Sequence, residues 1–125
     1  MKLKYFLFLF LTLTILHQTS SIATVRYVSK TGSSIPPYTS WESSADSIQK
    51  CINICNDNDT IYVGNGIYKE VIFINRSLSL IGSSVDSTII DGEGILNGHS
   101  YDSLTTIRAS RRAVIENFIV IIINF

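Results

Sequence analysis

The residues of this chain with the chemistry to act on a ligand fall into four small sets. Glu70 closes the segment Gly66-Ile67-Tyr68-Lys69-Glu70, where a carboxylate two residues after a tyrosine could serve as a general acid or base. Glycosidic or acyl chemistry needs a second group placed across a substrate, and none is identifiable. The alternative is structural, with Tyr68 packed over a turn and Glu70 accepting backbone hydrogen bonds in that turn. Asp91, Glu93 and Asp102 lie in a glycine-rich stretch and offer the hard oxygen ligands calcium takes. D-G-E-G lacks the spacing of an EF-hand or of nonapeptide calcium repeats, so calcium is not supported and a solvated loop is expected. Arg108, Arg111 and Arg112 form a basic cluster that reads as a solvated turn. Cys51 and Cys55 are the two cysteines, in C-x3-C spacing. One helical turn apart, they read as small buried residues, with an intrahelical disulfide or half a metal site with His99 as alternatives. Asn58-Asp59-Thr60 and Asn75-Arg76-Ser77 are glycosylation sequons, so Asn58 and Asn75 can carry glycans in a eukaryotic secretory pathway. No P-loop, dinucleotide fingerprint, nucleophile elbow or H-E-x-x-H occurs, and no cofactor is expected.

The elements that must position these residues are short strands. From Asp59 to Gly92, apolar runs at Thr60–Val63, Val71–Ile74, Ser77–Ile81 and Thr88–Ile90 alternate with tight polar turns, and no helical period fits. Ile61 and Val63 are expected to point inward with Tyr62 outward. Leu78 and Leu80 are expected inward, with Ser77 and Ser79 outward. Gly64-Asn65-Gly66 and Gly82–Ser87 read as turns, and Asp91–Asp102 as a longer polar excursion. Thr105–Ala109 and Ala113–Val120 read as further strands. The expected fold is all-β: the start of a right-handed parallel β-helix, a solenoid of single-chain coils, with one N-terminal capping α-helix.

That helix is expected over Ser43–Asn56, with Ser43 and Asp46 as an S-x-x-D capping box. Ala45, Ile48, Cys51, Ile52 and Cys55 share one face, and Ile54 breaks the pattern. Such a helix would cover the open end of the coil. Before it, Val25–Ser29 reads as a first strand. Lys30–Thr39, with Pro36-Pro37, reads as a loop. Trp41 reads as a plug over the core rather than a platform for a sugar ring.

Met1 to about Ala23 has the parts of a secretory signal peptide: basic Lys2 and Lys4, the apolar run Tyr5–Leu16, a polar break, and Ser21-Ile22-Ala23 ahead of a cut between Ala23 and Thr24. The run is shorter than the ~20 residues that span a bilayer. The chain carries ten basic and ten acidic residues; without Lys2 and Lys4, eight face ten, a net charge of −2. No basic patch points to nucleic acid. The expected organisation is a leader over residues 1–23, a cap over 24–58 and first coils over 59–125.

Tyr27-Val28-Ser29, Gly32, Trp41, Ser47-Ile48-Gln49, Ile52, Asp59–Val63, Gly66–Glu70, Leu78–Gly82 and Thr88–Gly92, in that order, resemble the N-terminal cap and first coils of secreted right-handed β-helix proteins of the pectin-lyase-like superfamily. G-x-Y-x-E, L-x-G and T-I-I-x-G are also similar to the opening of pectin methylesterases. Asn58 stands where the family often has glycine. The resemblance assigns Trp41, Asp59, Gly66, Tyr68, Glu70 and Gly82 to structural motifs. It implies a secreted or cell-surface scaffold segment of a protein that binds or processes extracellular polysaccharide. The family's lyases, hydrolases and esterases carry their catalytic residues on later coils, to which no position here corresponds. In pectate-lyase-like enzymes an arginine on a coil strand abstracts a proton, but nothing sets Arg108, Arg111 or Arg112 beside a calcium site. A non-catalytic, adhesin-like β-helix and a non-functional truncated fragment are the alternatives. Phe118–Phe125 is uncharged, of high β-propensity and expected to be an exposed edge prone to self-association.

Overall fold

A computed structural model of the chain describes residues 2–15, 22–92 and 107–121. Among these residues are two α-helices and nine strands. Helix α1 spans Lys2–Ile15 and α2 spans Ile48–Ile52. The strands are β1 (Val25–Val28), β2 (Thr60–Val63), β3 (Gly66–Lys69), β4 (Ile72–Ile74), β5 (Leu78–Gly82), β6 (Thr88–Asp91), β7 (Ile107–Ala109), β8 (Ala113–Glu116) and β9 (Ile119–Ile121). No described helix is long and apolar enough to cross a membrane.

The strands form three parallel sheets, ordered β1-β2-β5-β8, β3-β6-β9 and β4-β7. The chain visits them in turn. β2, β3 and β4 each enter a different sheet, β5, β6 and β7 repeat that order, and β8 and β9 begin it again. Registers are continuous: Ile61 pairs with Leu80 and Leu80 with Ile115, while Tyr68 pairs with Ile90 and Ile90 with Val120. Ile72 pairs with Ile107.

Alternation along each strand decides what is buried. Ile61, Val63, Ile72, Ile74, Leu80 and Ile90 are fully enclosed, whereas Tyr62 and Phe73 point to solvent. Each such aliphatic side chain contributes about 1.5–3 kcal/mol on burial, so the inward column is the main source of cohesion. Chain reversals are equally local. Gly66 has φ +144°, a conformation glycine adopts without steric cost. Asn58 has φ +72°, which asparagine tolerates better than most residues.

Four expectations need correction. The helix is not Ser43–Asn56 but the five residues Ile48–Ile52. Ser43 and Asp46 make no capping box: Ser43 bonds Ser40, and Asp46 pairs with Lys50. The segment before the helix is drawn into the sheet instead. Ala45 bridges Val28, its N–H donating to the Tyr27 carbonyl at 3.0 Å and its carbonyl accepting from Ser29 at 2.9 Å. This covers the free edge of β1. The helix ends early, tightening through i+3 bonds from Ile54 to Cys51 and from Cys55 to Ile52. It still buries Ile48, Cys51 and Ile52 against β1, β2 and β4.

The strand expected over Val25–Ser29 is β1, and its enclosed side chains are Arg26 and Val28. The strand expected over Ala113–Val120 is two strands, broken at Asn117 with φ +61°. There the backbone carbonyl of Asn117 crosses so close to Gly82 that a Cβ on Gly82 would lie 2.1 Å from it. Gly66–Lys69, read partly as a turn, is a strand paired with β6. Residues 93–106 and 122–125 lie outside the described part, and with them Glu93, His99, Asp102 and the end of the Phe118–Phe125 segment.

Candidate functional site

Glu70 follows β3 and reaches across to α2. One carboxylate oxygen accepts from the Ile48 N–H at 2.9 Å. The other accepts from the Gln49 N–H and the Ser47 hydroxyl, both at 2.9 Å. Ser47 is the N-cap, in extended backbone, and accepts from Lys50 N–H at 3.3 Å. The residue that would complete a local capping box is Lys50, so a carboxylate 23 positions after Ser47 does that work. Both oxygens of Glu70 are therefore engaged with α2, and not with the turn that contains it. Beside it, Tyr68 is enclosed, and its hydroxyl donates to the Gly64 carbonyl at 2.8 Å. Burial, aided by the Glu70 charge, pushes the Tyr68 phenol up to about 12. The Lys30 ammonium stands 4.4 Å over its ring.

Asp59 is a second carboxylate held by backbone, and unlike the half-buried Glu70 it is fully enclosed. Its Oδ2 accepts from Arg26 Nε at 3.1 Å and from the Asn56 N–H at 2.9 Å, and its Oδ1 accepts from the Thr24 N–H at 2.8 Å. Arg26 also donates to the Pro37 carbonyl at 2.7 Å. An enclosed charge is tolerable only when paired and hydrogen-bonded, and this network supplies both. It ties β1, the proline loop and the turn before β2 together.

Gln49 closes a third junction. Its side-chain oxygen accepts from the Phe73 N–H at 2.6 Å, and its nitrogen donates to the Phe73 carbonyl at 3.1 Å. The amide thus acts as a one-residue strand on the side of β4 away from β7.

The outward face of the four-stranded sheet is the surface with binding character. Trp41 is not a plug over the core; it is 44% exposed and packs 4.7 Å from the Tyr27 ring. Tyr27 lies 6.1 Å from Tyr62 in the neighbouring strand, with planes within 25°. Toward the other end of the same face, Asn58, Ser77, Leu78, Ser79, Arg112 and Val114 line an open depression of about 170 Å³. Aromatic faces with hydroxyls, an amide and a guanidinium suit a hydroxyl-rich ligand bearing negative charge. They include no nucleophile–base pair.

Of the remaining expected residues, Cys51 and Cys55 are free and buried, and the Cys55 thiol donates to the Cys51 carbonyl. The hydrogen bond from Cys55 and burial hold the Cys51 thiol protonated. Asn58 and Asn75 are both exposed. Among the described residues, no three His, Cys, Asp or Glu side chains gather as a metal site. Arg111 is exposed, and the Arg112 carbonyl accepts from the Leu78 N–H. The Arg26–Asp59 pair and the roles of Ser47 and Gln49 were missed, because each depends on a partner more than 20 residues away.

Compared with known proteins, the chain is 35% identical over 80 residues to a probable pectinesterase/pectinesterase inhibitor 6 of Arabidopsis thaliana. The match covers 57% of this chain and 14% of that relative's length. No family model matches, and no solved structure does.

Proposed function

We propose that the chain is the capped opening of a right-handed parallel β-helix in a secreted, pectin-associated protein, with a scaffolding and polysaccharide-binding role. The observation that carries this is the visiting order of the three parallel sheets, completed twice and then begun again, joined to the likeness to a probable pectinesterase/pectinesterase inhibitor. Right-handedness follows from the strong preference of parallel crossovers for that hand. The organisation is a leader over 1–23, a cap over 24–58 whose strand β1 starts the stack, and coils from residue 59.

Glu70 and Asp59 serve as clamps between layers, and catalysis is not assigned to these residues. Polysaccharide lies on the outward face of the four-stranded sheet, its sugar rings against Trp41 and Tyr62 and its acidic groups toward Arg112. The test is to pass the purified protein over immobilised pectin and to incubate it with soluble methylesterified pectin. Retention that falls with salt, without released methanol, unsaturated ends or new reducing ends, supports the proposal. Turnover, or passage without retention, overturns it.

A further inference from the structure

The backbone nitrogen of Thr24 has an unusual environment for the start of a strand. It donates to Oδ1 of the fully enclosed Asp59 at 2.8 Å, and no other donor is seen on that oxygen among the described residues. The Thr24 carbonyl accepts from the Thr60 N–H at 3.0 Å, so the residue is held on both sides. Immediately upstream this ends: Ala23 is exposed and Ile22 is 81% exposed. The boundary between held and free chain therefore coincides with the bond after Ser21-Ile22-Ala23, where a leader peptidase is expected to cut.

We propose that hydrolysis of the Ala23–Thr24 bond creates an α-ammonium that Asp59 captures, making the mature N-terminus a charged anchor of the fold. This rests on the secreted reading above. In the step itself, water supplies the hydroxyl to the Ala23 carboxyl and the proton to the Thr24 amine. The single peptide N–H facing Asp59 becomes an ammonium with three donors. A charge-assisted contact is about twice as strong as a neutral one. The other ionisable groups that sense Asp59 are the Arg26 guanidinium and the Cys51 and Cys55 thiols. Arg26 directs one nitrogen to Pro37 and one to Asp59 Oδ2, leaving Oδ1 to the new terminus. A cut one residue to either side moves the charge by about 3.5 Å along the chain, out of reach of this carboxylate.

The sign of the effect is fixed by the pairing. An amine stabilised as its cation contributes to stability below the ordinary α-amine range, about 8. That contribution is lost as pH rises through the higher value of the folded state.

The experiment is to express the full chain in a secretory host, map the terminus of the secreted product by mass spectrometry, and measure α-amine acylation near neutral pH, native and in urea. The expected product begins at Thr24, and its α-amine reacts about tenfold slower in the native protein than in urea. Asp59→Asn should remove the protection. Should that variant not fold, the native-to-urea ratio of the wild-type product decides by itself. A retained leader overturns the secreted reading and this inference together. Secretion with a terminus elsewhere overturns this inference alone, as does a Thr24 amine equally reactive in both states.

Discussion

Replacing Glu70 separates a structural carboxylate from a catalytic one. Its oxygens accept three hydrogen bonds of 2.9 Å, two from backbone N–H groups at the start of α2 and one from Ser47. Bonds to a charged acceptor contribute about 1.5–3 kcal/mol each, and they are not additive when they share one residue. Loss of a helix cap costs about 0.5–2 kcal/mol. A five-residue helix has a weak dipole, so the loss is carried by the bonds rather than by the field. Glu70→Gln keeps the shape and one acceptor oxygen but presents an NH2 group to an N–H donor, and should cost about 2 kcal/mol. Glu70→Ala leaves both N–H groups without this partner and should cost about 3–4 kcal/mol. For a domain of this size the Gln variant should melt about 8–16 °C lower. Urea unfolding followed by the lone tryptophan, Trp41, reads this directly; the midpoint should fall with an unchanged slope. If Glu70→Gln stays within about 0.5 kcal/mol of wild type, the level of an ordinary surface substitution, the clamp is wrong. A loss of pectin turnover at unchanged stability would instead make Glu70 a catalytic group.

Other outcomes follow from the same contacts. Gly82→Ala places a Cβ 2.1 Å from the Asn117 carbonyl and should cost about 1–3 kcal/mol, read as a lower urea midpoint. Tyr68 should give one late phenolate step near pH 12 in the tyrosinate absorbance. A free phenol titrates near 10, so the stabilisation from burying the neutral form is complete below that pH and is lost as pH rises through about 12. Tyr68→Phe should abolish the step. Cys51 and Cys55, buried and free, should react with a thiol reagent only after unfolding; rapid native labelling would contradict their enclosure. Trp41→Ala should weaken retention on pectin while leaving the melting temperature within about 2 °C, since Trp41 is half-exposed and changes at such positions are small.

Strand positions were legible because alternation is a local signal. Ile61 and Val63 enclosed with Tyr62 exposed follow from a period of two and nothing more. The capping residues were illegible for the opposite reason. Ser43 and Asp46 have the right spacing for a box, but the bridge between Ala45 and Val28 claims that backbone first, a tertiary override of local preference. The real cap draws Glu70 from 23 positions away. Arginine is seldom enclosed, and the inward placement of Arg26 is tolerable because the buried Asp59, 33 residues on, pairs with it. Trp41 is separated from its neighbour Tyr27 by the whole proline loop. Asn117 follows Glu116 in a stretch otherwise rich in strand-forming residues, with no glycine or proline to announce the left-handed turn that splits β8 from β9. The ordered motifs resemble the opening of pectin methylesterases, and the 35% identity is to a segment of a probable pectinesterase/pectinesterase inhibitor.

The central claim is the stacking of successive coils through parallel, in-register strands. Long-range contacts between backbone amide and Cα protons in the magnetic resonance spectrum of the labelled protein test it most directly. The account predicts parallel connectivities along Ile61–Leu80–Ile115, Tyr68–Ile90–Val120 and Ile74–Ala109. Antiparallel pairings, or β2 and β5 without mutual contacts, would contradict it.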